Sequence, residues 1–317
     1  MRRLYRFTVS PQHDGECLDK IVPIQTEDIS VALLRKIVDI GGVHVEGRRR
    51  RECSMTLRTG WKVEIYLDGL PLTPFRLAEK NIIFRDRYLL VINKPAGVDT
   101  QPTHARYKGT LYEALRLFLQ DPKRPSLRPS LGMVQRLDRG TSGIMVFSTH
   151  PRAHKGLSRC FADRLAEKKY LALVEGAPER ESGEIRSMLA RERKSRRVKS
   201  VPAGGKDAVT RFRLVERLGS TSLLEIELLT GRSHQIRAHL SEEGLPIAGD
   251  ALYGGPKKIE EAMVSRQMLH ASSLSFPHPV TGEILTFEAP VPTDMRTLLD
   301  DRRIGGDRVE PESESSK

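Results

Sequence analysis

The stretch V134-QRLDRGTSGIMVF-S148 opens in polar residues and ends in an unbroken apolar run. From Ile144 onward it reads as an apolar strand. Ahead of it stands one carboxylate, Asp138, between Arg136 and Arg139. Taken alone, "LDRGTSG" is a turn, because Asp, Gly, Thr and Ser are the residues at which chains reverse. What surrounds it decides whether the acid does more.

Working outward, strand patterns dominate. "IIFRDRYLLVINKPAGV" (82–98) reads as two apolar strands followed by a Pro-Gly turn, and "YLALVEG" (170–176) as another strand. "AVTRFRLVERLGSTSLLEIELLTG" (208–231) reads as a hairpin turning near Gly219-Ser220, and "LHASSLSFPHPVTGEILTFEAPVP" (269–292) as a second turning at Thr281-Gly282. Helical spacing marks "TLYEALRLFL", a helix from Pro151 carrying apolar residues through Leu165, and "SHQIRAHLSEEG" from Ser233 to Gly244. Strands joined by hairpins with a few helices imply an α+β fold, a mixed and mostly antiparallel sheet flanked by helices.

A small α+β unit is expected over 1–70. Its first strand lies in "MRRLYRFTVSPQ". Ser30 caps a helix over "VALLRKIVDI", which Gly41-Gly42 stops. "VHV" and "WKVEIYL" read as strands with "EGRRRRE" as the turn between them. Residues 71–80, rich in Pro, read as linker, 81–299 as the larger domain, and the polar stretch 300–317 as a disordered tail.

The chain has 317 residues and a formal net charge of +12. A basic surface attracts polyanions, and the basic residues cluster in "RRRR" (48–51) and "RERKSRRVK" (191–199), which favours nucleic acid. No apolar run approaches the roughly 20 residues that cross a bilayer, so no membrane partner is expected and a cytoplasmic location is. Cys17, Cys53 and Cys160 form no Cys-x-x-Cys pair, which argues against zinc and disulfides. No Gly-x-Gly-x-x-Gly or Walker-type loop is present, and "GTSGI" is not a nucleophile elbow. His234 and His239 are five apart, on different faces of a helix. Neither metal nor cofactor is expected.

Four segments carry a resemblance: "QRLDRGTSGIMVFS", "FADRLAEKKYLALVEG", "LLTGRSHQIRAHLSEEGLPIAGDALYGG" and "LHASSLSFPHP", with "INKPAGV" ahead of them. In that order, from about Ile82 to Asp294, they resemble the signatures of the RluA-type RNA pseudouridine synthases. "LLRKIVDIGGVHVEGRRRR" with "LRTGWKVEI" resembles the alpha-L RNA-binding module of the ribosomal protein S-four type. The resemblance implies Asp138 as the catalytic carboxylate, Tyr170 as the ring that stacks on the base, with a phenol that could help remove the proton from carbon 5, and Arg237 as the partner of the aspartate. It implies further substrate contacts from Arg136, Arg139, Thr141, Arg232, His234 and Gln235, with Arg136 helping to fill the gap left by an extruded base. In the first module it implies RNA contacts from Arg35, Lys36, Arg48, Arg49, Arg50 and Arg51. One departure stands out: Gln135 occupies a position where the family usually has His.

The implied reaction is an isomerisation. The bond from ribose to N1 of uracil breaks, the base turns, and carbon 5 replaces the nitrogen, with no redox change. An anionic carboxylate can serve by attacking the anomeric carbon or by removing the neighbouring proton to give a glycal, and the sequence leaves both routes open. A guanidinium beside it favours the charged form. The base must also leave its stack, at roughly a few kcal/mol. The expected partner is RNA, ribosomal RNA ahead of transfer RNA, acted on by a monomer. The competing reading is a non-catalytic RNA-binding or ribosome-assembly protein on the same fold. An RNA hydrolase would need paired carboxylates or a metal cluster, which the sequence does not display.

Overall fold

The computed structural model describes residues 3–192, 195 and 197–306. They form two compact units: one from the chain up to Glu79 together with Val98–Pro129, the other from Lys80–Gly97 and the chain from Ser130 onward.

In the first unit, strands β1 (Arg3–Thr8), β2 (Val43–Val45), β3 (Arg48–Arg49) and β4 (Lys62–Leu67) make an antiparallel sheet in the order β1-β4-β2-β3. Helices α1 (Leu18–Thr26) and α2 (Val31–Ile40) accompany it. The Leu33 N–H donates to the Ser30 hydroxyl at 3.2 Å, and Gly41 ends α2 at φ +98° with its N–H on the Ile37 and Val38 carbonyls. Caps of this kind contribute about 1 kcal/mol. Leu34, Ile37 and Val38 join Leu18, Ile21 and Val63 in the core, which leaves Arg35 and Lys36 exposed. The basic hairpin is tighter than the sequence suggests. Glu46 and Gly47, at φ +52° and +68°, form the reversal, and Arg48-Arg49 already pair with Val45-His44 as a strand.

Residues 98–129, inside the span expected to be one domain from 81 to 299, pack with this unit. Arg106, 4% exposed, forks onto the Asp68 carboxylate at 2.7 and 3.0 Å and reaches the Pro71 carbonyl at 3.2 Å. Helix α3 (Leu111–Phe118) follows, capped by Thr110. A pair thirty-eight residues apart in sequence leaves no local pattern to read.

The second unit holds β5 (Ile82–Arg85), β6 (Leu89–Lys94), β7 (Gly132–Met133), β8 (Ser142–Ser148), α4 (Pro151–Ala162), β9 (Glu167–Glu175), β10 (Ser182–Arg191), β11 (Val198–Val201), β12 (Lys206–Leu218) and β13 (Thr221–Leu228). After these come α5 (Gln235–Glu242), the ribbon β14 (Lys258–Ile259) and β15 (Ala262–Met263), then β16 (Leu269–Pro277), β17 (Ile284–Glu288) and α6 (Thr293–Gly306). Eleven of the described strands form one sheet, ordered β11-β10-β12-β13-β9-β16-β8-β6-β5, with β17 on β16 and β7 on β8. Only β8 and β16 run parallel among the described pairs, so the sheet is mixed and mostly antiparallel and the class is α+β. Every residue of β8 is buried, as its apolar run implies. Gly143 must be glycine: it sits at φ +115°, and a Cβ there would fall 2.2 Å from the Ala271 carbonyl oxygen.

Three boundaries differ from the sequence reading. Helix α4 stops at Ala162, because Arg164 turns to φ +62° and leaves Leu165 56% exposed. Helix α5 begins at Gln235, because His234 takes a left-handed φ of +53°. The polar C-terminal stretch starts as helix: α6 runs to Gly306, held by buried Arg302 on the Ile259 carbonyl and Glu260 and by Arg303 on Glu216. Positions 307–317, and 193, 194 and 196 of the basic 191–199 run, lie outside the described residues.

Candidate active site

Asp138 sits in the loop that feeds β8, and that loop is clamped through its main chain. Lys94, the last residue of β6, is wholly buried. Its ammonium donates to the carbonyls of Pro95 and Thr141 at 2.9 Å and of Arg139 at 3.3 Å. The Gly97 N–H takes the Arg139 carbonyl at 2.8 Å, and the Thr141 N–H returns to the Asp138 carbonyl at 3.0 Å. A charge with no access to water needs such acceptors, and two of them belong to the loop.

The second clamp comes from α5. Gln235 occupies all its hydrogen-bonding capacity: its carbonyl accepts from Thr230 and the Arg232 N–H, and its amide donates to Val209 and Thr210. That ties the 229–235 loop to β12 and sets the start of the helix. From α5, Arg237 donates through Nε and Nη2 to both oxygens of Asp250, at 2.6 and 2.7 Å, and through Nη1 to Asp138 Oδ2 at 2.8 Å. Its guanidinium carbon lies 4.9 Å from the Tyr253 ring centroid. Burial works against the charge on Arg237, but the hydrogen bonds and charges of Asp250 and Asp138 outweigh it and raise its pKa. Asp138 is 30% exposed, while Asp250 is 1% exposed. Among the described residues, Asp138 Oδ1 accepts no hydrogen bond.

Tyr170, on β9 between β13 and β16, is 7% exposed. Burial first, and the charge of Asp138 second, push its phenol well above the usual range. It therefore stays neutral at neutral pH, offering a ring face and a hydrogen-bond donor. His234 shares a hydrogen bond with the Tyr253 hydroxyl at 3.0 Å, and its Nε2 stands 3.8 Å from Asp138 Oδ2. Burial lowers its pKa more than Asp138 raises it.

These groups surround a cavity of about 340 Å³ lined by Asp138, Tyr170, Arg237, Arg136, Lys168 and Phe161 among others, within the roughly 300–1,000 Å³ of small-molecule sites. Of the remaining residues singled out from sequence, Thr141, Arg232, His234 and Gln235 line it. Arg232 is also tied to the Asp207 carbonyl at 2.8 Å. Arg139 is not among the lining residues, and its main chain serves the loop clamp instead. Asp250, Tyr253, Lys94 and Lys168 were not singled out. "GDALYGG" and "INKPAGV" contain the first three, but only the folded chain brings them to Asp138 or Arg237. No group of three or more His, Cys, Asp or Glu that could hold a metal occurs among the described residues.

The RNA pseudouridylate synthase family model matches residues 88–242. An uncharacterized RNA pseudouridine synthase of Bacillus subtilis is 34% identical over 304 residues, covering 94% of this chain and 98% of its own. The chain belongs to the RNA pseudouridylate synthase family. The ribosomal large subunit pseudouridine synthase D of Zymomonas mobilis is 39% identical over 225 residues, 69% of this chain and 71% of its own. Human RNA pseudouridylate synthase domain containing 4 shares the fold, with a TM-score of 0.60 over 70% of this chain and 93% of its own at 24% identity. This synthase is an isomerase that converts uridine in RNA to pseudouridine.

Proposed function

We propose that this synthase modifies uridines of large-subunit ribosomal RNA, with Asp138 acting on the ribose. The carrying observation is the split use of that carboxylate: Arg237 fixes Oδ2 at 2.8 Å, and Oδ1 accepts no hydrogen bond from the described residues at the edge of the cavity. An oxygen so placed can attack C1′ while the C1′–N1 electron pair moves onto the uracil ring, or take the C2′ proton to give the glycal. The ring turns, its C5 bonds to C1′ as the carboxylate leaves or the proton returns, and the proton on C5 is exchanged for one on N1. Tyr170 supplies the wall on which a flipped base stacks.

Ribosomal RNA is favoured because relatives in Zymomonas mobilis and Xanthomonas campestris are named ribosomal large subunit pseudouridine synthase D. In the first unit, the alpha-L-like module presents exposed Arg35, Lys36, Arg48 and Arg51 to the phosphate backbone. Arg49 and Arg50 are partly tied to the protein, Arg49 by the Thr103 carbonyl and Arg50 by the Val45 carbonyl. We take the enzyme to act as a cytoplasmic monomer. No helix among the described residues is long and apolar enough to cross a membrane.

The test is tritium release from ribosomal and transfer RNA transcripts carrying [5-³H]uridine. Release from large-subunit RNA by the wild type, and none by Asp138→Ala with RNA affinity kept within about threefold, is expected. Release from transfer RNA alone would move the substrate, and wild-type turnover by Asp138→Ala would remove Asp138 from the chemistry. Binding without any release would favour a non-catalytic protein on this fold.

A further inference from the structure

Lys168 and Tyr170 are two residues apart on β9, so their side chains leave the same face of the sheet, and both line the cavity that holds Asp138. Lysines ordinarily end in water or on a carboxylate. This one is half-buried, and among the described residues its ammonium has neither a hydrogen bond nor an ion pair. Lys94 is the contrast, with three carbonyls around its nitrogen. The surroundings of Lys168 do not favour its charge: burial first, then Arg164, lower its pKa, and Cys160 opposes them only in part. Its nitrogen faces Gly231, where even an added Cβ would stand 4.0 Å away. A polar group kept from bulk water without a partner is costly. Here the donors open on the cavity, so an acceptor carried by the ligand would complete them.

Position narrows what that acceptor is. Lys168 stands one same-face step along β9 from Tyr170, and its nitrogen lies at the Gly231 end of the wall that the two share. With the ribose at Asp138 and the base against Tyr170, the far end of the cavity receives the outer edge of the base. On uracil that edge carries carbonyl oxygens.

We propose that Lys168 is a further catalytic residue, whose ammonium donates to a carbonyl oxygen of the flipped uracil and neutralises the charge that the ring gains when C1′–N1 breaks. This rests on the assignment of Asp138 to the ribose. Cleavage leaves the bonding electron pair on N1, spread over O2 and O4. The sugar is held meanwhile by the Asp138 oxygen at C1′, or its C2′ proton rests on Asp138. Lys168 keeps its own protons throughout. When C5 bonds to C1′ the ring gives that pair back and its charge is lost. A donor aimed at charge that develops in the transition state accelerates turnover by about 10² to 10³.

The experiment compares Lys168→Met, which keeps the stem without the donor, and Lys168→Arg, which keeps the charge. Single-turnover tritium release at saturating enzyme, RNA affinity across a salt series and thermal melting are measured. Lys168→Met should slow release about a hundredfold or more, with RNA affinity unchanged within about threefold and a melting temperature no lower than wild type, since an unpartnered ammonium is removed. Lys168→Arg should recover most of the rate. A wild-type rate in Lys168→Met overturns the assignment. So does a loss confined to affinity with the salt slope smaller by about 0.7–0.9, which would give the ammonium to a backbone phosphate. Should wild type itself release no tritium from any RNA, the assignment of Asp138 falls first and this one with it.

Discussion

Arg237→Met separates what the arginine does for the fold from what it does for Asp138. The guanidinium makes three hydrogen bonds to two carboxylates, at 2.6, 2.7 and 2.8 Å. Asp250, 1% exposed, would be left as a buried charge without its fork, whereas Asp138, 30% exposed, can regain water. Breaking a buried pair from one side costs about 3–5 kcal/mol, nearly all of it here on the Asp250 side. For a unit of this size each kcal/mol lowers Tm by roughly 2–4 °C, so a fall of about 6–20 °C is expected. Adding Asp250→Leu removes the stranded charge and fills the volume, which should restore stability to within about 2 kcal/mol of wild type. Tritium release should stay absent in both variants, because Asp138 lacks its guanidinium in each. Urea denaturation and tritium release on the same preparations read the two effects separately. If Arg237→Met is as stable as wild type, Asp250 does not depend on it; if the double variant turns over, Asp138 does not.

Lys94→Met takes the ammonium donor from the carbonyls of Pro95 and Thr141, while that of Arg139 keeps the Gly97 N–H, at about 1–3 kcal/mol for an unsatisfied group, and should slow turnover by loosening the loop; unchanged urea midpoint and rate would refute the clamp. Burial is the leading cause that lowers the pKa of His44, His234, His239 and His270. The unfolded chain therefore binds more protons than the folded one as pH falls through the ordinary histidine range near 6.5. Stability should rise as pH climbs up to the ordinary histidine range and level off above it, and a flat series of denaturation midpoints would contradict this. Replacing exposed Arg48 and Arg51 by Ser should lower the salt slope of RNA binding by about 0.7–0.9 for each phosphate no longer neutralised, whereas Arg49→Ser, which gives up the bond to the Thr103 carbonyl, should lower the melting temperature instead. An unchanged slope would remove Arg48 and Arg51 from the phosphate surface.

Local signals were legible where one residue's own conformation decides the outcome. Ser30 and Gly41 bound α2, the turn at Gly219 joins β12 to β13, and the apolar run after Gly143 is the buried strand β8. The pair Asp138–Arg237, ninety-nine residues apart, is implied by the family resemblance and by no local pattern. Partners that meet only after folding were not legible. Arg106 and Asp68 bring 98–129 onto the first unit, and buried Arg302 holds the polar C-terminal stretch as helix. The end of α4 is not legible because Leu165 fits the helical period of the segment, while Arg164 adopts the left-handed turn that sends the chain into β9. At the site, Gln235 lines the cavity while its side-chain amide is bonded to Thr230, Arg232, Val209 and Thr210, ties that no local pattern displays.

On the role proposed for Asp138, the division of Arg237 between two acids leaves that aspartate an oxygen with which to act. A guanidinium in a one-to-one pair closes its fork on both carboxylate oxygens, which would fix Asp138 but leave neither oxygen to act. Here the fork closes on Asp250, and only Nη1 reaches Asp138. Asp250 thus does two things. It balances the charge of Arg237, and it turns the guanidinium so that one oxygen of Asp138 is held while the other accepts no hydrogen bond from the described residues. Lys94 completes the arrangement from the main-chain side, since the loop carbonyls it binds, those of Arg139 and Thr141, hold the loop and spare the carboxylate. Without Asp250 the same fork would be free to turn onto both oxygens of Asp138, and the acid would be better paired and less able to react.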